Sequence, residues 1–121
     1  MKADGRGDRT LLIEMLDAVD AILDDARLGE AEFYRTPRVQ RSMIRSLEVL
    51  GEAAKGLSPA LRDKHAKVAW QRIAGLRDVL IHAYFRVEPT EVWRIVSDEI
   101  PALRDDLARI LAGLGTTPAS A

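Results

Sequence analysis

The amino-acid sequence predicts an all-α protein, an up-and-down bundle of four to five helices in a single domain. Apolar residues recur at intervals of three and four, and aromatic residues make up only 5% of the chain, so strand patterns are nearly absent. A chain of 121 residues can bury a core without metals or cross-links. We therefore expect one helical domain over residues 1–112 and a disordered tail over 113–121.

Two long helices are predicted in the first half of the chain. The first apolar stripe follows Asp8, a possible N-cap, and stops near Gly29. A polar connector containing Phe33 leads to the second stripe, which stops at Gly56 because glycine is common at helix C-termini. The two stripes consist of Leu12, Met15, Val19, Ile22 and Ala26, and of Val39, Met43, Leu47, Leu50 and Ala54.

The sequence of the second half of the chain predicts one short helix and two longer helices. Ser58, followed by a proline suited to a first helical turn, predicts a short helix over 59–65. A third helix is expected from Ala69, and a last helix from Pro89, which Pro101 should bend or divide. The stripe of the third helix consists of Ile73, Leu76, Leu80 and Tyr84.

Composition excludes several kinds of chemistry. The chain has no cysteine and only two histidines, which excludes disulfides, thiolate nucleophiles and zinc–thiolate sites, so we expect neither a metal nor a cofactor. A net charge of -1 excludes strong global basicity. No apolar run could cross a bilayer, and the first residues lack the apolar core of a signal peptide, so we expect a soluble, cytoplasmic protein.

The octad 77–84, Arg-Asp-Val-Leu-Ile-His-Ala-Tyr, carries the main functional signal, because ionisable groups are costly in an apolar helix. On a continuous helix Arg77 falls inside the apolar arc, and His82 lies about 140° away, one turn after Asp78. One straight helix cannot aim Arg77 and His82 at the same atom. Either the helix loosens, or two copies each supply part of one site.

Structural interpretations of these residues remain open at this point. An arginine on an apolar face most often extends to solvent or pairs with a buried carboxylate, here Glu48 or Glu52 of the second helix. In a purely structural dimerisation bundle, Arg77 and Asp78 would form a buried ion pair that fixes the register of the helices.

Three segments of the chain resemble the HepT family of HEPN-domain ribonuclease toxins. They are Leu50-Gly51-Glu52-Ala53-Ala54-Lys55, the stretch from His65 to Trp70, and residues 77–85. The signature of the family is an arginine, a polar residue, three further residues, a histidine, any residue and a tyrosine. Arg77, Asp78, His82 and Tyr84 fill every place, and the resemblance runs from the first helix to the middle of the last.

The resemblance implies a HEPN fold that forms a homodimer and cleaves RNA in a composite cleft without a metal. It implies that His82 acts as general acid or base, that Arg77 stabilises the transition state, and that Asp78 orients His82. Tyr84 would contact the phosphate or base. In a type VII-like toxin–antitoxin system, a minimal nucleotidyltransferase antitoxin of the MntA type would also transfer AMP to Tyr84 and close the cleft to RNA.

The sequence also supports an interpretation of a row of arginines and an alternative function for the protein. Arg38, Arg41 and Arg45 recur along one side of the second helix and would guide an RNA backbone to the cleft, or they form an ordinary solvated face. The chain could also be a non-catalytic helical module that serves as binding partner or substrate of a nucleotidyltransferase, with Tyr84 as the modified residue. Only a measurement of activity separates that module from a ribonuclease, because both use the same residues.

Overall fold

The computed structural model describes residues 7–80 and 88–114, which form helices joined by short turns. No strand occurs among the described residues, and the prediction of an all-α fold is confirmed. None of the described helices combines the length and the apolar composition that crossing a membrane requires. The helices are α1 (Asp8–Ala26), α2 (Glu30–Arg35), α3 (Pro37–Gly56), α4 (Pro59–Lys64), α5 (Trp70–Ala74), α6 (described over 76–80), α7 (Pro89–Asp98) and α8 (Ile100–Gly113).

Helix α1 lies at the centre of the bundle. It packs against α3, α7 and α8, while α3 also contacts α5. The apolar stripes meet in one core, and no polar or charged residue is buried among the described residues. At the surface, Arg104 of α8 donates a 2.8 Å hydrogen bond to Asp20 of α1. The core therefore forms by burial of apolar stripes, as the periodicity predicts.

The connector between the two long helices contains a helix of its own, which was not predicted from the sequence. Helix α2 directs Phe33 into the core, where only 1% of the residue is exposed. The ring of Phe33 lies 5.3 Å from the ring of Trp93 on α7, within the range of favourable aromatic pairs. Phe33 therefore joins α2 to the C-terminal half of the bundle.

Asp8 and Ser58 connect the first turns of α1 and α4. Gly7 is the N-cap of α1, so the prediction that Asp8 caps this helix was wrong. Its carboxylate instead accepts hydrogen bonds from the backbone N–H of Ser58 at 2.8 Å and from the Ser58 hydroxyl at 2.6 Å. The Ser58 hydroxyl oxygen accepts the N–H of Leu61, so the short helix and its cap are confirmed.

Two breaks shape the second half of the bundle. Glu99 separates α7 from α8, with Pro101 in the first turn of α8, which confirms the predicted division. The predicted third helix is also divided, by a turn at Gly75, so the expectation of a continuous helix there was wrong. Helix α8 ends at Gly113, and the tail over 115–121 lies outside the described residues.

Candidate active site

Arg77 lies on α6 at the surface of the protein. Its side chain is 54% exposed, and Asp78 is exposed as well. Arg77 is therefore not buried with the apolar residues of the predicted stripe, although it precedes Leu80 by less than one turn. The apolar residues of the same stripe are buried as predicted: Ile73, Leu76 and Leu80.

Arg77 forms an ion pair with Glu52 of α3. Nη1 of Arg77 lies 3.7 Å from Oε1 of Glu52, and 59% of the Glu52 side chain is exposed. Glu52 is one of the two carboxylates named as partners of Arg77, but it is exposed, so the prediction of a buried carboxylate was wrong. A buried pair between Arg77 and Asp78 is contradicted, since both residues are exposed in the described chain. The separation from Glu52 exceeds that of a hydrogen bond, so the pair contributes at most about 1 kcal/mol to stability.

Gly51 explains why Glu52 reaches Arg77. A Cβ atom on Gly51 would lie 3.0 Å from the carbonyl oxygen of Ile73 and 3.8 Å from the backbone nitrogen of Arg77. The missing side chain lets the backbones of α3 and α5 approach closely. Glu52, the next residue along α3, is thereby placed beside the first turn of α6.

A cleft of about 370 Å³ opens between α1, α3 and α6. Two arginines line it, Arg45 and Arg77, together with the three carboxylates of Glu14, Glu48 and Glu52. Nη1 of Arg45 lies 3.9 Å from Oε1 of Glu48, and 77% of the Arg45 side chain is exposed. The volume falls within the usual range of small-ligand sites. Charged groups from three helices therefore converge on one accessible concave surface.

The predicted basic stripe follows the exposed side of α3. Arg38, Arg41 and Arg45 are all exposed. Neither Arg38 nor Arg41 forms an ion pair with any residue in the described part of the chain. Arg45 is the member that enters the cleft with Arg77. The stripe therefore begins on open surface and ends at the candidate site.

Arg72 and Glu99 form a contact that the sequence did not reveal. Arg72 of α5 donates hydrogen bonds from Nε and Nη2 to the two carboxylate oxygens of Glu99, at 3.1 Å and 2.8 Å. Nη1 of Arg94 lies 3.5 Å from the same carboxylate. The hydrogen bond from Arg72 holds the pKa of Glu99 below its ordinary value. This contact fixes α5, directly before the motif, to the junction of α7 and α8.

His82 and Tyr84 lie outside the described residues, so their predicted positions stay predictions. The described site consists of Arg77, Asp78 and the charged residues of the cleft. Within 7–80 and 88–114, no three histidine, cysteine or acidic side chains lie close enough together to hold a metal ion.

The described residues form an all-α bundle in which Arg77, the first residue of the octad, lies at an accessible cleft. The model of the HepT-like ribonuclease family matches residues 13–110, which is most of the chain. The protein therefore belongs to the HepT-like ribonuclease family. This confirms the resemblance inferred from the motif residues.

Several relatives in this family carry ribonuclease names. The protein is 45% identical over 80 residues to "Putative RNase TTE0752" of Caldanaerobacter subterraneus, covering 66% of this chain and 71% of the relative. It is 32% identical over 107 residues to "Putative RNase MJ0125" of Methanocaldococcus jannaschii, covering 88% and 92%. It is 30% identical over 106 residues to "Probable ribonuclease HepT" of Thermococcus cleftensis, covering 87% and 96%. No solved structure gave a significant match.

Proposed function

We propose that this protein is a metal-independent endoribonuclease, the toxin of a type VII-like toxin–antitoxin system that acts on RNA in the cytoplasm. Membership of the HepT-like ribonuclease family supports the reaction class. The structural observation that carries the proposal is the accessibility of Arg77, which lies at a cleft and is bound only loosely by Glu52. A guanidinium in this state is available to a phosphodiester.

Arg77 supplies the positive charge that RNA cleavage needs. In the proposed reaction the ribose 2′-oxygen attacks the adjacent phosphorus, the bond to the 5′-oxygen breaks, and a 2′,3′-cyclic phosphate and a 5′-hydroxyl form. Negative charge accumulates on the phosphoryl oxygens in the transition state. Arg77 is always protonated and can donate two parallel hydrogen bonds to these oxygens, so it stabilises the transition state more than the substrate.

His82 performs the proton transfers in this proposal. An imidazole with a pKa near neutrality can accept the proton of the 2′-hydroxyl or give one to the leaving 5′-oxygen. Asp78, one helical turn earlier in the sequence, orients His82 and favours its protonated form. In a homodimer, the motif helices of two protomers would face each other across one cleft, so that each protomer supplies part of the composite site.

The proposed regulation uses Tyr84. An MntA-like nucleotidyltransferase antitoxin would transfer AMP to the Tyr84 hydroxyl, which would fill the cleft and add negative charge beside Arg77. Both effects would exclude an RNA phosphate. The proposal also uses the exposed stripe of Arg38, Arg41 and Arg45 to guide the RNA backbone towards the cleft, since Arg38 and Arg41 form no ion pair within the described residues and the pair of Arg45 with Glu48 is loose.

The test combines a cleavage assay with intact-mass measurement. The protein is purified alone and after co-expression with a nucleotidyltransferase encoded beside its gene, and each sample is incubated with total RNA in the presence of EDTA. We expect cleavage by the unmodified protein, none by folded His82→Ala, and protection of RNA when the mass increases by one adenylyl group on Tyr84. Failure of the unmodified protein to cut RNA, with the mass increase still present, would favour the non-catalytic substrate module.

A further inference from the structure

The cleft beside Arg77 contains an ordered arrangement of opposite charges. Arg45, Glu48 and Glu52 are spaced by three and four residues, so all three lie on one face of α3. Arg45 and Glu52 are separated by about 10 Å along the helix axis, given a rise of about 1.5 Å per residue. Arg77 joins this row from α6 at its Glu52 end. Each of the two arginines therefore lies next to a glutamate.

Both ion pairs in the cleft are loose. The nearest nitrogen and oxygen atoms are 3.9 Å apart in the Arg45–Glu48 pair and 3.7 Å apart in the Arg77–Glu52 pair, beyond hydrogen-bond distance. The bidentate contact between Arg72 and Glu99, at 2.8 Å and 3.1 Å, shows how this protein builds a structural ion pair. The guanidinium groups of the cleft are thus held near carboxylates without being saturated by them.

We infer that this cleft binds two phosphates of one RNA strand, with Arg77 at the phosphate to be cleaved and Arg45 at another phosphate of the same strand. In the absence of RNA, the carboxylate of Glu52 occupies the place of the phosphate beside Arg77 and has to give it up when the strand binds. The inference rests on the proposed function and extends it by placing Arg45 and Arg77 on two phosphates within one cleft and by assigning Glu52 as an internal competitor.

The chemistry of the exchange supports this assignment. A carboxylate and a phosphodiester both present two oxygens to a guanidinium, so RNA can replace Glu52 without a change in the geometry that Arg77 offers. The exchange costs little, because an exposed ion pair contributes at most about 1 kcal/mol. Glu52 remains nearby after displacement and repels the bound strand. It therefore lowers the affinity of the cleft for RNA.

The experiment measures binding of the full chain to a single-stranded 2′-O-methyl RNA, which lacks the nucleophile and cannot be cut. The dissociation constant is determined across a series of salt concentrations for wild type, Arg45→Gln and Glu52→Gln. Loss of one phosphate contact should reduce the salt slope of Arg45→Gln by about 0.7 and its affinity about fourfold at physiological salt. Glu52→Gln should bind severalfold more tightly, because it removes the competing charge.

Matched controls come from a pair on α8 that does not line the cleft. Arg109 and Asp106 form an exposed i,i+3 pair, so Arg109→Gln and Asp106→Asn reproduce the two changes in net charge. Equal slopes for Arg45→Gln and Arg109→Gln, with RNA binding by wild type intact, would overturn the inference and leave the proposed function standing. Unchanged or weaker binding by Glu52→Gln would overturn the role of Glu52 as competitor. No binding by wild type would overturn the inference together with the proposed function.

Discussion

Gly51 and the carbonyl oxygen of Ile73 are so close that a Cβ atom on the glycine would stand 3.0 Å from the oxygen. Real Cβ atoms almost never approach a backbone oxygen more closely. The contact fixes the distance between α3 and α5, and with it the position of Glu52 relative to Arg77. A single missing methyl group in the core thus determines the geometry of a surface site.

Replacement of Gly51 by alanine should therefore affect both stability and activity. The methyl group would force α5 away from α3, and overpacking of this kind costs about 1–3 kcal/mol. We expect urea denaturation to show that loss, and RNA cleavage to fall in the fraction that remains folded, because Arg77 moves with α5. Gly113→Ala is the control, since a Cβ atom there meets nothing within 4 Å. Equal stabilities of the two variants would show that α5 accommodates the methyl group.

Arg77→Gln should separate activity from stability. The ion pair with Glu52 is exposed, so we expect the free energy of unfolding to change by less than about 0.5 kcal/mol. Loss of a donor to the transition state should reduce the cleavage rate roughly a hundredfold or more. Arg77→Lys should restore only part of the rate, because an ammonium cannot donate in the bidentate geometry. A rate within a few-fold of wild type for Arg77→Gln, measured on a labelled RNA, would remove Arg77 from the site.

The pair of Arg72 and Glu99 predicts a dependence of stability on pH. The hydrogen bond from Arg72 lowers the pKa of Glu99 in the folded protein. The contribution of the pair to stability is therefore present above the unfolded pKa of about 4.3 and is lost as the pH falls through the lower, folded value. Glu99→Gln should cost about 1 kcal/mol at pH 7. The stabilities of wild type and variant should converge as the pH falls below the lowered, folded pKa of Glu99. A constant difference across this range would mean that the carboxylate charge contributes nothing.

Asp8 should stabilise the bundle through Ser58. Asp8→Ala removes the acceptor of two hydrogen bonds and leaves the Ser58 N–H without a protein partner. Hydrogen bonds to a charged acceptor contribute roughly 1.5–3 kcal/mol, and this site is part-buried, so we expect a loss of about 1–2 kcal/mol in thermal or urea unfolding. Asp105→Ala, an exposed position on α8, should change stability by less than about 0.5 kcal/mol. Similar losses for both variants would contradict a specific role for Asp8.

The sequence predicted those features of the fold that depend on neighbouring residues. The apolar stripes identified the buried faces, Ser58 and its proline identified α4, and Pro101 identified the division of the last helix. Each of these signals acts within one or two turns of the residue that carries it. The sequence also named Glu48 and Glu52 as alternative partners of Arg77, without distinguishing between them, and the structure pairs Arg77 with Glu52.

The features that the sequence did not predict depend on tertiary contacts. Nothing in the spacing of Ile73 and Leu76 distinguishes a continuous helix from two helices joined by a turn at Gly75. Helix α2 has only six residues and owes its position to the burial of Phe33 against Trp93. The bonds of Asp8 to Ser58 join residues 50 positions apart, a separation that local patterns do not report.

The turn at Gly75 affects which substitutions this protein can accept near Arg77. It separates α5, which packs against α3, from α6, which carries Arg77. Substitutions that alter the turn can redirect Arg77 while the buried contacts of Ile73 persist. Selection can therefore change the orientation of Arg77 without a loss of packing in the core of the bundle.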